Sequence, residues 1–103
     1  MRPTRKERYP LIEIERYVEW RRPDGSHFDP WIRLHERVGG SILGAAPESM
    51  AIEAPVADWE EWTGLELPED GDYVVPGMLA PLLVRNGVGR HVEPNVWMRH
   101  GVA

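Results

Sequence analysis

The clearest hydrophobic pattern of the chain lies in the segment DPWIRLHERVGG, residues 29–40, and it predicts an amphipathic helix followed by a strand. Asp29 is a favourable N-cap, and proline is well tolerated at the first helical position, Pro30, where no backbone donor is needed. Four residues recur at helical spacing and are expected to pack as one face: Trp31, Leu34, His35 and Val38. Three others are expected to point to water: Arg33, Glu36 and Arg37. Gly39 is predicted to end the helix.

The rest of the chain alternates short apolar runs with turn residues. Residues 11–20 favour a helix, although a strand is an open alternative, and residues 56–63 predict a third helix ended by Gly64. Residues 41–54 indicate a strand pair or one bent strand. The Asn86-Gly87 pair predicts a hairpin between residues 82–84 and 88–92, and residues 96–98 predict a further strand. The expected fold class is α+β, with about three short helices and a mostly antiparallel sheet.

The length of 103 residues fits one domain, which we place at residues 11–103 after a loose basic N-terminal arm at residues 1–10. The chain has no cysteine, so it has no disulfide, thiolate metal site or cysteine nucleophile. No apolar run is long enough to span a bilayer and the N-terminus lacks the apolar core of a signal peptide. We therefore expect a soluble, cytoplasmic protein with no membrane partner.

Charge is unevenly distributed along the chain. The formal net charge is −5, yet residues 39–84 contain no Lys or Arg and carry nine acidic residues. Such a surface repels phosphate backbones, so nucleic acid is excluded as an expected partner, and it favours a cationic or amine-type small molecule. The alternative is that these acidic residues only keep one side of a small domain solvated.

The segment HERVGGSIL, residues 35–43, resembles a segment near the end of GNAT-type N-acetyltransferases, in which a tyrosine-containing helix is followed by glycine and a strand. The longer segment at residues 17–40 is similar to members of that superfamily in which Asp-Pro opens the helix and histidine takes the place of the tyrosine. Residues 59–64, 73–81 and 93–100 also look like the C-terminal portion of such proteins. The resemblance covers most of the chain after Pro10 and implies a GNAT-like C-terminal half.

The resemblance makes His35 the expected catalytic residue, because the tyrosine at this place often acts as general acid toward the departing coenzyme A sulfur. Imidazole can perform this proton transfer. The family also binds the pyrophosphate of acetyl-CoA on a glycine-rich loop, and that loop is absent from this sequence. The segment Arg85–Gly89 has similar residue types but the wrong spacing, and we interpret it as a turn. Acetyl-CoA or another acyl-CoA is therefore expected as cofactor only if a partner supplies the missing loop, and we expect a homodimer or a partner protein.

Aromatic residues supply the other candidate site residues. Five are candidates for the wall of a cavity that binds planar or cationic substrates: Tyr17, Trp31, Trp62, Tyr73 and Trp97. The alternative is that these large residues simply build the core of a small domain. Trp62, beside two glutamates, is the tryptophan most expected to be exposed.

A metal site is a weaker alternative. His91 and Glu93 share one face of a predicted strand, and His100 follows in the next apolar run, which is the order of a facial triad for divalent iron.

Three hypotheses for the function follow. The first is an acyltransferase-related domain that acts on an amine-type small molecule and needs a second chain to complete its site. The second is a non-catalytic ligand-binding or protein-interaction module, and the third is a small metal-dependent enzyme.

Overall fold

The computed structural model describes residues 1–100; the last residues of the predicted domain, 101–103, lie outside the described part. Within residues 1–100 the fold is α+β, as predicted: three α-helices and a four-stranded antiparallel sheet of order β1-β4-β3-β2. The helices are α1 (Ile14–Tyr17), α2 (Pro30–Arg37) and α3 (Val56–Thr63), and a single 3₁₀ turn (Lys6–Arg8) precedes them in this part of the chain. The strands are β1 (Gly40–Pro55), β2 (Gly71–Tyr73), β3 (Leu82–Arg85) and β4 (Val88–His100).

Strands β1 and β4 form a long ribbon, in which Gly40 pairs with His100 at one end and Pro55 with Val88 at the other. The pairing shifts register between Ala46 and Met50, so β1 is one bent strand, the second of the two predicted alternatives. Residues 96–98 continue β4 and are not a separate strand. The molecule measures 51 × 27 × 19 Å, so the ribbon sets its long axis.

Each end of the ribbon carries its own hydrophobic core. At the α2 end, one core is built around Ile14, Tyr17, Ile32 and Val96. At the α3 end, the second contains Trp59, Leu67, Val75, Leu82 and Val84. Along β4 the buried positions are Gly89 and His91 in the first half but Pro94 and Val96 in the second, so the buried face changes at the β1 bulge. The two cores therefore cover opposite faces of the same ribbon, and each face is covered over only half its length.

The predicted hairpin and helix ends are confirmed. Asn86 and Gly87 both have positive φ, 51° and 78°, as a two-residue turn between β3 and β4 requires. Gly64 ends α3 in the left-handed conformation with φ 73°. In α3, Trp59 is buried, and Trp62 is exposed as predicted.

Two predictions are corrected by the structure. The helix expected over residues 11–20 is reduced to the single turn of α1, because residues 18–20 leave the helix in turns that bring Trp20 onto Tyr9 and Phe28. Residues 1–10 are not a loose arm: Lys6 is only 1% exposed, and the Met1 ammonium group donates to the Val96 carbonyl oxygen. The N-terminal segment packs because its apolar residues complete the core at the α2 end.

Candidate functional site

Helix α2 begins at Asp29, which acts as the predicted N-cap. Its Oδ1 accepts from the backbone N–H groups of Trp31 at 2.9 Å and Ile32 at 3.1 Å. Its Oδ2 accepts from the Arg5 backbone N–H at 3.0 Å and from the Tyr17 hydroxyl group. A fully buried carboxylate therefore ties α2 to α1 and to the N-terminal segment. This network fixes the helix that carries His35.

The pKa values of this network follow from its contacts. Burial alone would raise the pKa of Asp29, but the hydrogen bonds from Tyr17 and the three backbone N–H groups outweigh it, so the pKa lies below its ordinary value. Burial raises the pKa of Tyr17, and the adjacent carboxylate raises it further. Burial lowers the pKa of His27, whose Nδ1 accepts from the Asp29 N–H at 2.8 Å. The His27 ring is therefore neutral and donates from Nε2 to the Val18 carbonyl oxygen at 2.9 Å.

The packed face predicted for α2 is wrong. Ile32 is completely buried, whereas Trp31 and Leu34 are each 44% exposed and Val38 is 68% exposed. The error has a geometric cause: α2 has only eight residues, and the core at its end of the ribbon takes one side chain of the helix. The face expected to pack is an apolar surface open to solvent.

His35 lies on this open face and forms a pair with His100. His35 Nδ1 lies 2.6 Å from His100 Nε2, and the two ring centroids are 4.8 Å apart. One ring donates and the other accepts in such a bond, so the two rings share a proton between facing nitrogens. Trp31 packs edge-on against His35, with ring centroids 4.7 Å apart. Gly40 permits the pair, because a Cβ atom there would lie 2.7 Å from the His35 carbonyl oxygen and 3.2 Å from His100 Cδ2.

Sequence reasoning assigned His100 to a metal set and missed its contact with His35. The sequence did contain a signal for this contact. Gly39 and Gly40 turn the chain directly from α2 into β1, so a last strand that pairs with the start of β1 ends beside α2. In the structure, His91 is buried and faces the Pro81 carbonyl oxygen, and Glu93 pairs with Arg2 at 3.0 Å. His91 and His100 are about 30 Å apart along β4. Within residues 1–100, no three His, Asp or Glu side chains are grouped to hold a metal ion.

The predicted aromatic wall is not assembled in one place. Tyr17 is completely buried, and Tyr73 packs on the core at the α3 end, with its hydroxyl group donating to the Glu69 carbonyl oxygen at 2.6 Å. Trp97 is exposed beside the β1 bulge, where it lines a depression with residues 45–49. Trp31 alone of this group contacts His35. Trp62, which is 60% exposed, lies on α3 at the far end of the ribbon.

The acidic segment and the histidine pair are also separated. Helix α3 follows the ribbon end formed by Pro55 and Val88, whereas His100 marks the opposite end, about 40 Å away along β4. The charged side chains nearest in sequence to the pair are Glu36, which forms an ion pair with Arg21, and the basic Arg37 on α2 and Arg99 on β4. The acidic residues of α3 therefore do not lie beside His35 in the same chain.

The N-terminus of α2 does not fit the pyrophosphate of a coenzyme A donor. At the N-terminus of α2, Pro30 has no backbone N–H, and the next two N–H groups already donate to Asp29. The buried carboxylate also places negative charge at that helix end, where a phosphate would be repelled. The N-terminus of α2 therefore offers no free backbone N–H groups for a phosphate in its first turn.

Lys6 was also missed by sequence reasoning. Its Nζ donates to the carbonyl oxygens of Tyr9 and Leu79, both at 2.7 Å, and ties the N-terminal segment to the loop before β3. Burial lowers the pKa of this ammonium group to about 8. Lys6 borders a depression of about 360 Å³ lined mainly by proline and aliphatic residues.

No helix in the described part of the chain is long and apolar enough to cross a membrane.

Comparison with known proteins finds two groups of relatives. The chain is similar to the arginine N-acetyltransferase avaD of Aspergillus versicolor, with 35% identity over 122 aligned residues that cover 99% of this chain and 42% of that protein. It is also similar to one subunit of the A-type ATP synthase of Thermococcus onnurineus, with 38% identity over 64 residues, 59% of this chain and 11% of that subunit. The corresponding subunit from Thermococcus sibiricus shares 31% identity over 70 residues.

The chain thus spans less than half the length of the acetyltransferase and about a tenth of the ATP synthase subunits that it matches. No protein-family model matches the chain. No solved structure matches it. The similarity to an N-acetyltransferase over nearly the whole chain agrees with the GNAT-type resemblance noted in the sequence.

Proposed function

We propose that this chain is an acyltransferase-related domain that acts on an amine-type small molecule, in a site completed by a second chain. The similarity to an arginine N-acetyltransferase supports the reaction class, and it suggests arginine as the first acceptor to test. The observation that carries the proposal is the hydrogen bond between His35 and His100, because it gives the residue expected to be catalytic a partner for proton transfer.

The pair offers a defined route for a proton. Within residues 1–100, His35 Nε2 and His100 Nδ1 have no hydrogen-bond partner, while the facing nitrogens bind each other. His35 Nε2 takes the proton that the acceptor nitrogen loses as its bond to the acyl carbon forms. His35 Nδ1 passes a proton to His100 Nε2, and as the acyl–sulfur bond of the donor breaks, His100 Nδ1 gives up a proton to the departing sulfur. Trp31 holds the His35 ring edge-on and limits its rotation.

The test is calorimetric titration of the full chain with arginine and with acetyl-CoA, at high and low chain concentration. We expect binding of both at high concentration and a loss of arginine affinity of about tenfold in His35→Ala. His27→Ala is not a suitable control, because that ring is part of the core network. Arg90→Ala is a better one, since this residue is exposed on β4 at a distance from the pair. Absence of binding by either compound at every concentration would contradict the proposal.

A second candidate function is a protein-interaction module without catalysis. The acetyltransferase alignment covers 99% of this chain, so the segment shared with the ATP synthase subunits overlaps it almost entirely. An arginine N-acetyltransferase and an ATP synthase subunit therefore share this segment, which favours a structural or assembly role. Specific complex formation by the chain, with no binding of arginine or acetyl-CoA, is the result that this candidate predicts.

A further inference from the structure

His35 and His100 bring two imidazole rings together at one place on the surface. His35 is partly buried on α2, and His100 is exposed at the end of β4. His35 Nδ1 faces His100 Nε2 at 2.6 Å, and the two outer nitrogens have no hydrogen-bond partner within residues 1–100. Each ring can therefore hold its proton on the outer nitrogen and turn a lone pair toward the other ring.

Two facing imidazole nitrogens at this distance are close to the geometry of a metal chelate. Imidazole nitrogens bind Zn²⁺ at about 2.0–2.1 Å, so two nitrogens on one tetrahedral ion lie about 3.3 Å apart. The observed separation of 2.6 Å has to increase by only about 0.7 Å. Rotation of the exposed His100 ring provides this change, while Trp31 keeps the His35 ring in place.

The two rings are carried by separate elements that are both anchored. Helix α2 is fixed at its start by the buried carboxylate of Asp29, and β4 is paired with β1 so that His100 lies opposite Gly40. Strand β1 begins at Gly40, shortly after the end of α2, so the helix end and the strand end lie together. Ligands on helices and strands are positioned more precisely than ligands on loops. The two ligands are thus brought together before a metal ion binds.

The charges around the pair favour a metal that binds nitrogen. The charged residues nearest in sequence are Glu36, which already pairs with Arg21, and the basic Arg37 and Arg99. In the described part of the chain no carboxylate joins the two rings as a third ligand. Mg²⁺ and Ca²⁺ need oxygen ligands and are therefore disfavoured, whereas imidazole suits Zn²⁺, Cu²⁺ and Ni²⁺.

We propose that His35 and His100 chelate a divalent transition-metal ion, with Zn²⁺ as the ion to test. His35 Nδ1 and His100 Nε2 are the protein ligands, water fills the remaining positions, and the proton shared between the two nitrogens is released on binding. This site differs from the metal set predicted from the sequence, because His91 and Glu93 have other partners and take no part. The proposal does not rest on acyl transfer, since it concerns metal binding alone.

The first experiment is calorimetric titration of the full chain with ZnCl₂, with MgCl₂ as the control ion. We expect one Zn²⁺ ion per chain and no binding of Mg²⁺. His35→Gln and His100→Gln each replace an imidazole by an amide, and each is expected to weaken Zn²⁺ binding by about tenfold or more. Arg90→Ala, at an exposed position elsewhere on β4, should bind Zn²⁺ as the wild type does. Far-UV circular dichroism checks that each variant is folded.

NMR spectra of the imidazole nitrogens locate the ion without any substitution. The chain has four histidines, and the buried His27 and His91 serve as internal controls. Zn²⁺ should shift the resonances of His35 and His100 and leave those of the two buried rings unchanged. Absence of Zn²⁺ binding overturns the proposal, as does binding that either glutamine variant retains in full or that shifts the buried histidines instead. Absence of arginine binding with Zn²⁺ binding intact would contradict only the proposed function.

Discussion

Replacement of Asp29 should most clearly separate effects on the stability of the fold from effects on the chemistry of the site. The change Asp29→Ala removes the N-cap of α2, which costs about 1 kcal/mol. It also leaves the Arg5 N–H and the Tyr17 hydroxyl group without their acceptor in a buried place, at about 1–3 kcal/mol each. The expected loss is about 3–7 kcal/mol, a large part of the stability of a small domain. The melting temperature should fall by about 12 °C or more.

The assay is thermal and urea unfolding followed by circular dichroism, with Asp24→Ala as control. Asp24 is an exposed turn residue, and its replacement should cost less than about 1 kcal/mol. Since the pKa of Asp29 is lowered in the folded state, its contribution is complete above its unfolded pKa of about 3.9 and is lost as the pH falls through the folded pKa. Asp29→Ala should therefore flatten the acid limb of the stability curve. A loss below about 1 kcal/mol would show that the buried network does not depend on this carboxylate.

Three further changes test other parts of the structure. The folded pKa of Lys6 is about 8 against an ordinary value of 10.5, so the unfolded chain binds more protons between these values and stability should rise with pH across that window. Lys6→Met should abolish the rise in urea-unfolding free energy. Gly89→Ala should destabilise the fold by about 1–3 kcal/mol in thermal unfolding, because its Cβ would lie 2.5 Å from the Trp59 ring. Gly40→Ala should separate the His35 ring from its partner, observed as shifted imidazole nitrogen resonances in NMR spectra.

Controls for these changes exist in the same chain. Gly44→Ala meets no atom within 4 Å, so its effects on unfolding and on the imidazole resonances should be small. Arg2→Met removes an exposed cation from the same N-terminal segment as Lys6, and the rise in stability at alkaline pH should persist. A Gly40→Ala variant with unchanged imidazole resonances would contradict the described packing of the histidine pair.

The sequence predicted those features that depend on local chemistry. The Asp29 cap, the Gly64 helix end and the Asn86-Gly87 turn each follow from residues close together in the chain, and the structure confirms all three. The face of α2 could not be predicted in the same way. Helical spacing identifies residues that share a face but does not show whether the fold has a layer to cover it, and here Ile32 alone packs.

Long-range contacts account for the other differences. The N-terminal segment packs through its apolar residues and through Lys6, which donates to the Leu79 carbonyl oxygen in the loop before β3, a position that no local pattern connects to it. The pairing of His35 with His100 joins residues 65 positions apart, and it depends on the register of β1 with β4. His35, the site residue suggested by resemblance, could thus be named from the sequence. Its partner His100 could be identified only from the pairing of β1 with β4.

The proposal that His35 and His100 act together in acyl transfer can be tested by a double-mutant cycle on product formation. The measurement is the rate of acetylarginine formation from acetyl-CoA and arginine, followed by mass spectrometry, for the wild type, His35→Ala, His100→Ala and the double variant. We expect product with the wild type and a loss in each single variant nearly as large as in the double variant, because the two rings act as one unit. Absence of product with the wild-type chain at every chain concentration, or independent effects of the two changes, would contradict the proposal.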